Sequence, residues 1–144
     1  MSAYRRILAA VDLTEDSRAV AAKACELART AGDGVVQLLH VVEFVPIEPM
    51  NDSLLPVMQI DDEVIARAQA QIEQLVRELG LPPGSGSVES GNAKNEILRR
   101  AREQGCDLIV LGCRERHGLS ILIHRTEDSV LHGAPCDVLA VRMR

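Results

Sequence analysis

Three apolar runs, Arg6-Ile-Leu-Ala-Ala-Val-Asp12, Val35–Val42 and Asp107-Leu-Ile-Val-Leu-Gly112, show no regular polar alternation. A strand with one wet face alternates. A strand that is apolar at successive positions has to be covered on both faces, which is the condition of a strand inside a parallel sheet. Such a sheet needs helices against it, and the chain supplies them between the runs. After the first run Thr14 and Asp16 offer N-cap oxygens, Val20, Ala24, Leu27 and Ala28 recur at helical spacing, and Gly32 and Gly34 stop the helix. After the second run, Asp61, Asp62 and Glu63 occupy the start of a helix, where its dipole favours negative charge. Its apolar stripe is Val64, Ile65, Ala68, Ile72, Leu75, Val76 and Leu79, ended by Gly80 and Pro82.

The rest of the chain repeats the alternation more faintly. Gly84–Glu89 reads as a short strand of small residues, and Asn92 caps a helix carrying Ala93, Ile97, Leu98 and Ala101, closed by Gly105. Beyond the third run, Thr126–His132 reads as a helix ended by Gly133 and Pro135, and Asp137-Val-Leu-Ala-Val-Arg142 as the last strand. Strand and helix therefore alternate from β to β through five strands and four helices. That order predicts an α/β fold, a parallel sheet with helices on both faces and right-handed crossovers. No linker or internal repeat interrupts it, and residues 1–144 read as a single domain. The one long stretch without a period, Glu43–Gln59, holds Pro46, Pro49 and Pro56. Its acidic residues read as a solvated loop, and its length is that of a lid or interaction segment.

Composition removes several functions. Of 144 residues 47% are hydrophobic and 26% charged, with a net charge of −5, which excludes disordered classes and disfavours nucleic acid and anionic membrane as partners. One Tyr, one Phe and no Trp leave almost nothing from which to build a base-stacking platform. The runs Ile7–Val11 and Ile109–Leu111 fall far short of the roughly 20 residues that span a bilayer. Asp12 ends the first of them before it could serve as a signal peptide, so a cytoplasmic location is expected. Cys25, Cys106, Cys113 and Cys136 form no CxxC and no zinc-finger spacing with histidine, so no metal is expected. Cys25 and Cys106 read as buried free thiols.

In an open parallel sheet, ligands bind beyond the carboxyl ends of the strands, where strand order reverses. Those ends are Asp12, Val41–Glu43, Ser90–Asn92 and the segment from Gly112 to Thr126, Gly-Cys-Arg-Glu-Arg-His-Gly-Leu-Ser-Ile-Leu-Ile-His-Arg-Thr. At this point the chain resembles the universal stress protein family, UspA type, over essentially its whole length. The resemblance rests on Ala3-Tyr-Arg-Arg-Ile-Leu-Ala-Ala-Val-Asp12 followed by Ser17, on Leu39-His-Val41, on Cys106-Asp-Leu-Ile-Val-Leu-Gly112 and on Ala134-Pro-Cys-Asp-Val-Leu-Ala-Val141. It implies a Rossmann-like sheet of order 3-2-1-4-5 (adenine nucleotide alpha hydrolase-like), a homodimer, and a role in stress response without a defined catalytic reaction.

The resemblance also implies a division within the family. Its nucleotide-binding branch carries Gly-x2-Gly, nine residues, then Gly-Ser or Gly-Thr. Gly112 matches the first glycine, Glu115 stands at the second, and His124-Arg125 or Arg125-Thr126 stands at the final pair. The missing glycines place this chain beside the members that do not bind nucleotide, and no cofactor is expected. The physical reason is separate from the family. Glycine lets backbone amides approach phosphate without a Cβ in the way, and Glu115 brings the wrong charge. Against this, Arg114, Arg116 and Arg125 with His117 and His124 could hold an anion through side chains. The alternative reading is therefore an ATP or AMP binder using Asp12, Val41, Gly112, Arg114, Gly118, Arg125 and Thr126.

Each candidate has a plainer reading beside it. Asp12 is the adenine-side carboxylate in nucleotide-binding relatives, and equally an ordinary turn or cap residue. Cys113 and His117, four apart, suggest the thiolate pair of a small enzyme, but no third orienting group accompanies them. His40 reads as a hydrogen-bonded core histidine, and the arginine cluster as solvated surface or dimer contact. Val138, Ala140 and Val141 lie on the final strand, an exposed apolar edge that seeks a partner and predicts an isologous homodimer. No protein partner can be named from these features.

Overall fold

The computed structural model describes residues 4–43, 62–114 and 130–143. Five parallel strands, β1 (Arg6–Ala10), β2 (Val35–Val42), β3 (Gly86–Ser90), β4 (Leu108–Arg114) and β5 (Asp137–Met143), form one sheet in the order β3-β2-β1-β4-β5. The helices α1 (Arg18–Ala31), α2 (Asp62–Glu78) and α3 (Ala93–Glu103) alternate with them as expected. Of the fourth expected helix, residues 130–133 are helical; Thr126–Ser129 and most of Glu43–Gln59 lie outside the described residues.

The apolar runs behave as their lack of alternation requires. Ile7, Ala9 and Val11 face one core with Val20, Ala24 and Ile72, while Leu8 faces a second core with Leu39, Ile97, Leu98 and Ile109. α1 and α2 cover the first face and α3 the second, so consecutive residues of β1 are buried on opposite sides. Burying an aliphatic side chain of this size is worth about 1.5–3 kcal/mol, and both faces contribute.

Several boundaries differ from expectation. β3 begins at Gly86 because residues 82–85 form a turn instead: Gly84 has φ +87° and Ser85 Oγ donates to the Pro82 carbonyl at 2.6 Å. α1 begins at Arg18, after a 3₁₀ turn over Glu15–Ser17. Thr14 caps nothing with its side chain, and Ser17 Oγ donates back to the Thr14 carbonyl at 2.8 Å. The expected cap at Asn92 is present, its Oδ1 accepting from the Asn95 amide at 3.0 Å. β1 stops at Ala10, two residues before Asp12, and β4 runs past Gly112 to Arg114.

At the amino ends of the strands a carboxylate secures the first strand. Asp107 accepts from the backbone amides of Arg5 and Arg6 at 2.9 and 3.0 Å. Arg6 Nη1 donates to the Gln104 carbonyl at 3.0 Å, a cation placed where the last carbonyls of α3 lack partners. The Tyr4 hydroxyl donates to Asp137 Oδ2 at 2.7 Å, which raises the phenol's pKa because ionisation would forfeit that bond.

Candidate functional site

The chain leaves β1 through a turn that Asp12 builds. Its Oδ1 accepts from the Thr14 amide at 3.0 Å and from Thr14 Oγ1 at 2.6 Å, which satisfies polar groups at the strand end. Leu13 then has φ +65°, the one non-glycine with positive φ among the described residues. That conformation costs an L-residue roughly 1–2 kcal/mol, and the packing of the Leu13 side chain against the first core offsets it. Asp12 thus serves as the turn residue that one of its two sequence readings required.

Next to this turn, at the carboxyl ends of β1 and β2, lies a cleft of about 380 Å³. Asp12, His40, Val41, Glu43, Arg67 and Gln71 line it. His40 is half-buried, and its Nδ1 lies 2.8 Å from the Val11 carbonyl. A carbonyl only accepts, so Nδ1 carries a proton and donates it to Val11. Val41 packs against the second core and closes the cleft's apolar side. Glu43 is no idle loop charge: its Oε1 accepts from the Ala93 amide at 3.0 Å, capping the start of α3 with favourable charge. A narrower groove of about 180 Å³ continues between the 3₁₀ turn and α2, sharing Leu13 and Gln71 with the cleft. An ion pair between Arg18 and Glu78 spans that groove.

Sequence reasoning located Asp12 and Val41 and the structure brings them together in this cleft. It read His40 as a core residue, and the ring is bonded as such while also lining the cleft. Arg67 and Gln71 were missed. With Val64 and Ala68 they recur at helical spacing on α2, so a second face beside the apolar stripe was the available signal. On the other side of the strand reversal, Gly112 lies in β4 opposite Val141, and Arg114 opposite Met143. A Cβ on Gly112 would meet Met143 Cε at 2.5 Å, so this glycine accommodates a neighbouring side chain. Glu115, Arg116, His117, Gly118, His124, Arg125 and Thr126 lie outside the described residues, as does any contact between Cys113 and His117.

The described residues offer a polar, mixed-charge cleft with hydrogen-bond donors and acceptors on three elements. It is suited to reversible binding of a small polar molecule. Among the described residues no group of three or more His, Cys, Asp or Glu could hold a metal ion, and no helix is long and apolar enough to cross a membrane. Burial raises the pKa of the Cys25 and Cys106 thiols, that of Cys106 to about 11 with Cys136 and Asp107 adding to the effect. Both are therefore poor nucleophiles at neutral pH.

Comparison with known proteins agrees with this architecture. The universal stress protein A homolog 2 of Coxiella burnetii is 34% identical over 145 residues, covering 100% of this chain and 99% of the relative. The homolog 1 of the same organism is 30% identical over 98% of both chains. Among solved structures, universal stress protein UspA from Lactobacillus plantarum superposes with a TM-score of 0.70 at 25% identity, covering 99% of this chain and 100% of that one. A universal stress protein in complex with cAMP shares the fold with a TM-score of 0.64 at 16% identity, over 97% of this chain and 98% of that one. The Universal stress protein family model matches residues 3–142, and the chain belongs to that family.

Proposed function

We propose that the protein is a homodimeric module of the cytoplasmic stress response, a regulatory or protective binding protein and not an enzyme. In this reading it does not hold ATP by a glycine loop. The observation that carries it is the Gly112 segment, with Glu115 in place of the second glycine and His124-Arg125 in place of a Gly-Ser pair. The close approach of Met143 to Gly112 supports it, because a side chain of the neighbouring strand already lies over the open side of that glycine. Each amide bond lost to a charged phosphate oxygen is worth roughly 1.5–3 kcal/mol. An exposed arginine returns only about 0–1 kcal/mol after screening. The expected dissociation constant for ATP is weaker than about 100 μM, near −5.5 kcal/mol. Calorimetry at physiological salt tests this. Glu115→Gly combined with His124→Gly and Arg125→Ser should tighten binding, whereas low-micromolar affinity in the unaltered protein overturns the reading.

A second reading is favoured by the cleft itself. Asp12 and Val41 line the cleft at the carboxyl ends of the strands, where open parallel sheets commonly take ligands, and a universal stress protein of the same fold is in complex with cAMP. The protein would then take ATP or AMP, its phosphate held by Arg114, Arg116 and Arg125. Mass spectrometry of the natively purified protein separates the two readings, because a co-purifying nucleotide belongs only to the second.

A further inference from the structure

The two polar residues of β2 serve opposite ends and opposite faces of the sheet. His40 belongs to the cleft at the carboxyl ends, whereas Gln37 interrupts the apolar run near the amino end. Register sets Gln37 opposite Leu8 and Val35 opposite Arg6, and Leu8 faces the second core. Gln37 and Val35 therefore stand on the α3 side of the sheet. Val35 is 52% exposed, so α3 leaves the start of β2 uncovered on that side. A cavity of about 280 Å³ lies there, lined by Arg6, Ile7, Val35, Gln37, Gln104 and Cys106. It shares no residue with the cleft that holds Asp12 and Val41.

Two of the lining side chains are carboxamides with unmet hydrogen-bonding capacity. Gln104 Oε1 is shielded from solvent and has no hydrogen-bond partner, and the Gln37 side chain makes no hydrogen bond among the described residues. A shielded acceptor without a donor is unfavourable, and native folds leave few of them. Gln104 caps the end of α3 with its backbone alone. Its amide donates to the Arg100 carbonyl at 3.0 Å, and its carbonyl accepts from Arg6 Nη1 at 3.0 Å. The helix end is thus closed without the carboxamide. The cavity is also close to neutral. Arg6 is its one charged lining residue and stands exposed at the rim. The Asp107 carboxylate, which accepts from the Arg5 and Arg6 amides, lies at the same strand end.

We propose that this cavity is a second binding site, for a small uncharged planar ring that carries an N–H beside a C=O. Between them the two carboxamides offer an acceptor and a donor, and a lactam edge complements that pair. The ligand's N–H donates to Gln104 Oε1, and its carbonyl accepts from Gln37 Nε2. The terminal torsion of a glutamine side chain is broad, so a turn of the Gln104 amide brings Oε1 to the cavity. Val35 supplies apolar contact for one face of the ring. Size narrows the class further. Pockets for drug-sized ligands run from about 300 to 1,000 Å³, so this one admits a single ring and not a nucleotide. Occupancy here is independent of whether the cleft at the carboxyl ends takes ATP or AMP.

The probe is 2-pyridone, a lactam ring, titrated into the full chain labelled with nitrogen-15 and followed by proton–nitrogen correlation NMR. Shifts are expected in the side-chain amides of Gln37 and Gln104 and in the backbone amides of Val35 and Cys106. A dissociation constant of about 1 mM suits a ligand this small. N-methyl-2-pyridone keeps the ring and the carbonyl but has no N–H, and it should bind at least about tenfold more weakly. Gln104→Leu removes the unsatisfied acceptor, so it should weaken 2-pyridone by at least about tenfold without lowering the melting temperature. Gln37→Leu should weaken it as well. Because the two rings are compared on the unaltered protein, a poorly folding variant leaves the decision intact. Equal binding of the two rings, unchanged affinity in Gln104→Leu, or shifts confined to Asp12 and Val41 overturns the proposal. So does the absence of any shift at these amides at about ten times the expected constant.

Discussion

Among the described residues β3 and β5 each pair with one neighbour, but they present different chemistry to whatever approaches. β3 is Gly-Ser-Val-Glu-Ser, five residues with one large apolar side chain. On its α3 side Glu89 pairs with Arg100, and with Arg99 at 3.7 Å, while Arg99 also engages Glu96 and Glu103. β5 is Asp-Val-Leu-Ala-Val-Arg-Met, seven residues, with Val138, Leu139 and Val141 half-buried and Ala140 exposed. A short edge ringed with charge discourages further strand pairing, and a longer apolar one invites it. In the proposed homodimer the two edges therefore have separate tasks, one closed by ion pairs and the other open to a second copy of the chain.

The sharpest way to break that comparison is to charge the open edge. In the proposed dimer the β5 strands meet antiparallel about a two-fold axis, so each substitution appears twice in the contact. Ala140→Lys should weaken association by at least about 100-fold, or roughly 2.7 kcal/mol. Light scattering at micromolar protein should then report the 15.7 kDa monomer. Ser87→Lys on β3 should leave the assembly unchanged. A dimer that survives the first change and is lost with the second would reverse the two edges.

How far the sequence led follows the same division. The buried strands were legible because apolar residues at successive positions have few other uses, and β2 was bounded correctly at both ends. β3 was misplaced by two residues at its start because Gly84 and Ser85 belong to a turn, and small residues do not distinguish the two states. In the cleft, Asp12 and Val41 followed from the rule about strand ends. Arg67 and Gln71 did not, since polar residues on an amphipathic helix read as solvated until the neighbouring strand ends are placed beside them. The capping role of Glu43 depends on Ala93, fifty positions away, and no local pattern announces such a partner.

The β4–β5 side also carries a pH dependence through a buried thiol. Cys106 keeps its proton in the folded protein up to about pH 11, whereas an exposed thiol loses it near 9. A raised pKa stabilises the fold fully below the unfolded value, and the contribution disappears as pH rises between the two. Two units correspond to about 2–3 kcal/mol at most. Thermal melts should therefore drop between pH 9 and 11, and Cys106→Ala should flatten that slope. An unchanged slope in the variant would mean that the Cys106 thiol is not shielded as its burial indicates.

The smallest effects distinguish how firmly each edge is seated. A Cβ on Gly86 would meet Ile72 Cγ1 at 2.9 Å and Val76 Cγ2 at 3.1 Å. Both neighbours are β-branched, stiff at χ1 and buried in the first core, so neither can swing aside. Gly86→Ala should cost about 1–3 kcal/mol, the usual range for overpacking. On Gly112 a Cβ would meet Met143 Cε at 2.5 Å and Sδ at 2.6 Å, contacts that are closer but softer. Methionine has three rotatable side-chain bonds and Met143 is only half-buried, so its terminal atoms can move away. Alanine also narrows the unfolded ensemble relative to glycine. Gly112→Ala should therefore cost less than about 1 kcal/mol, despite the shorter contact. Urea unfolding of the two variants decides the order, and a larger loss from Gly112→Ala would show that the β4–β5 seam is as rigid as the contact between β3 and α2.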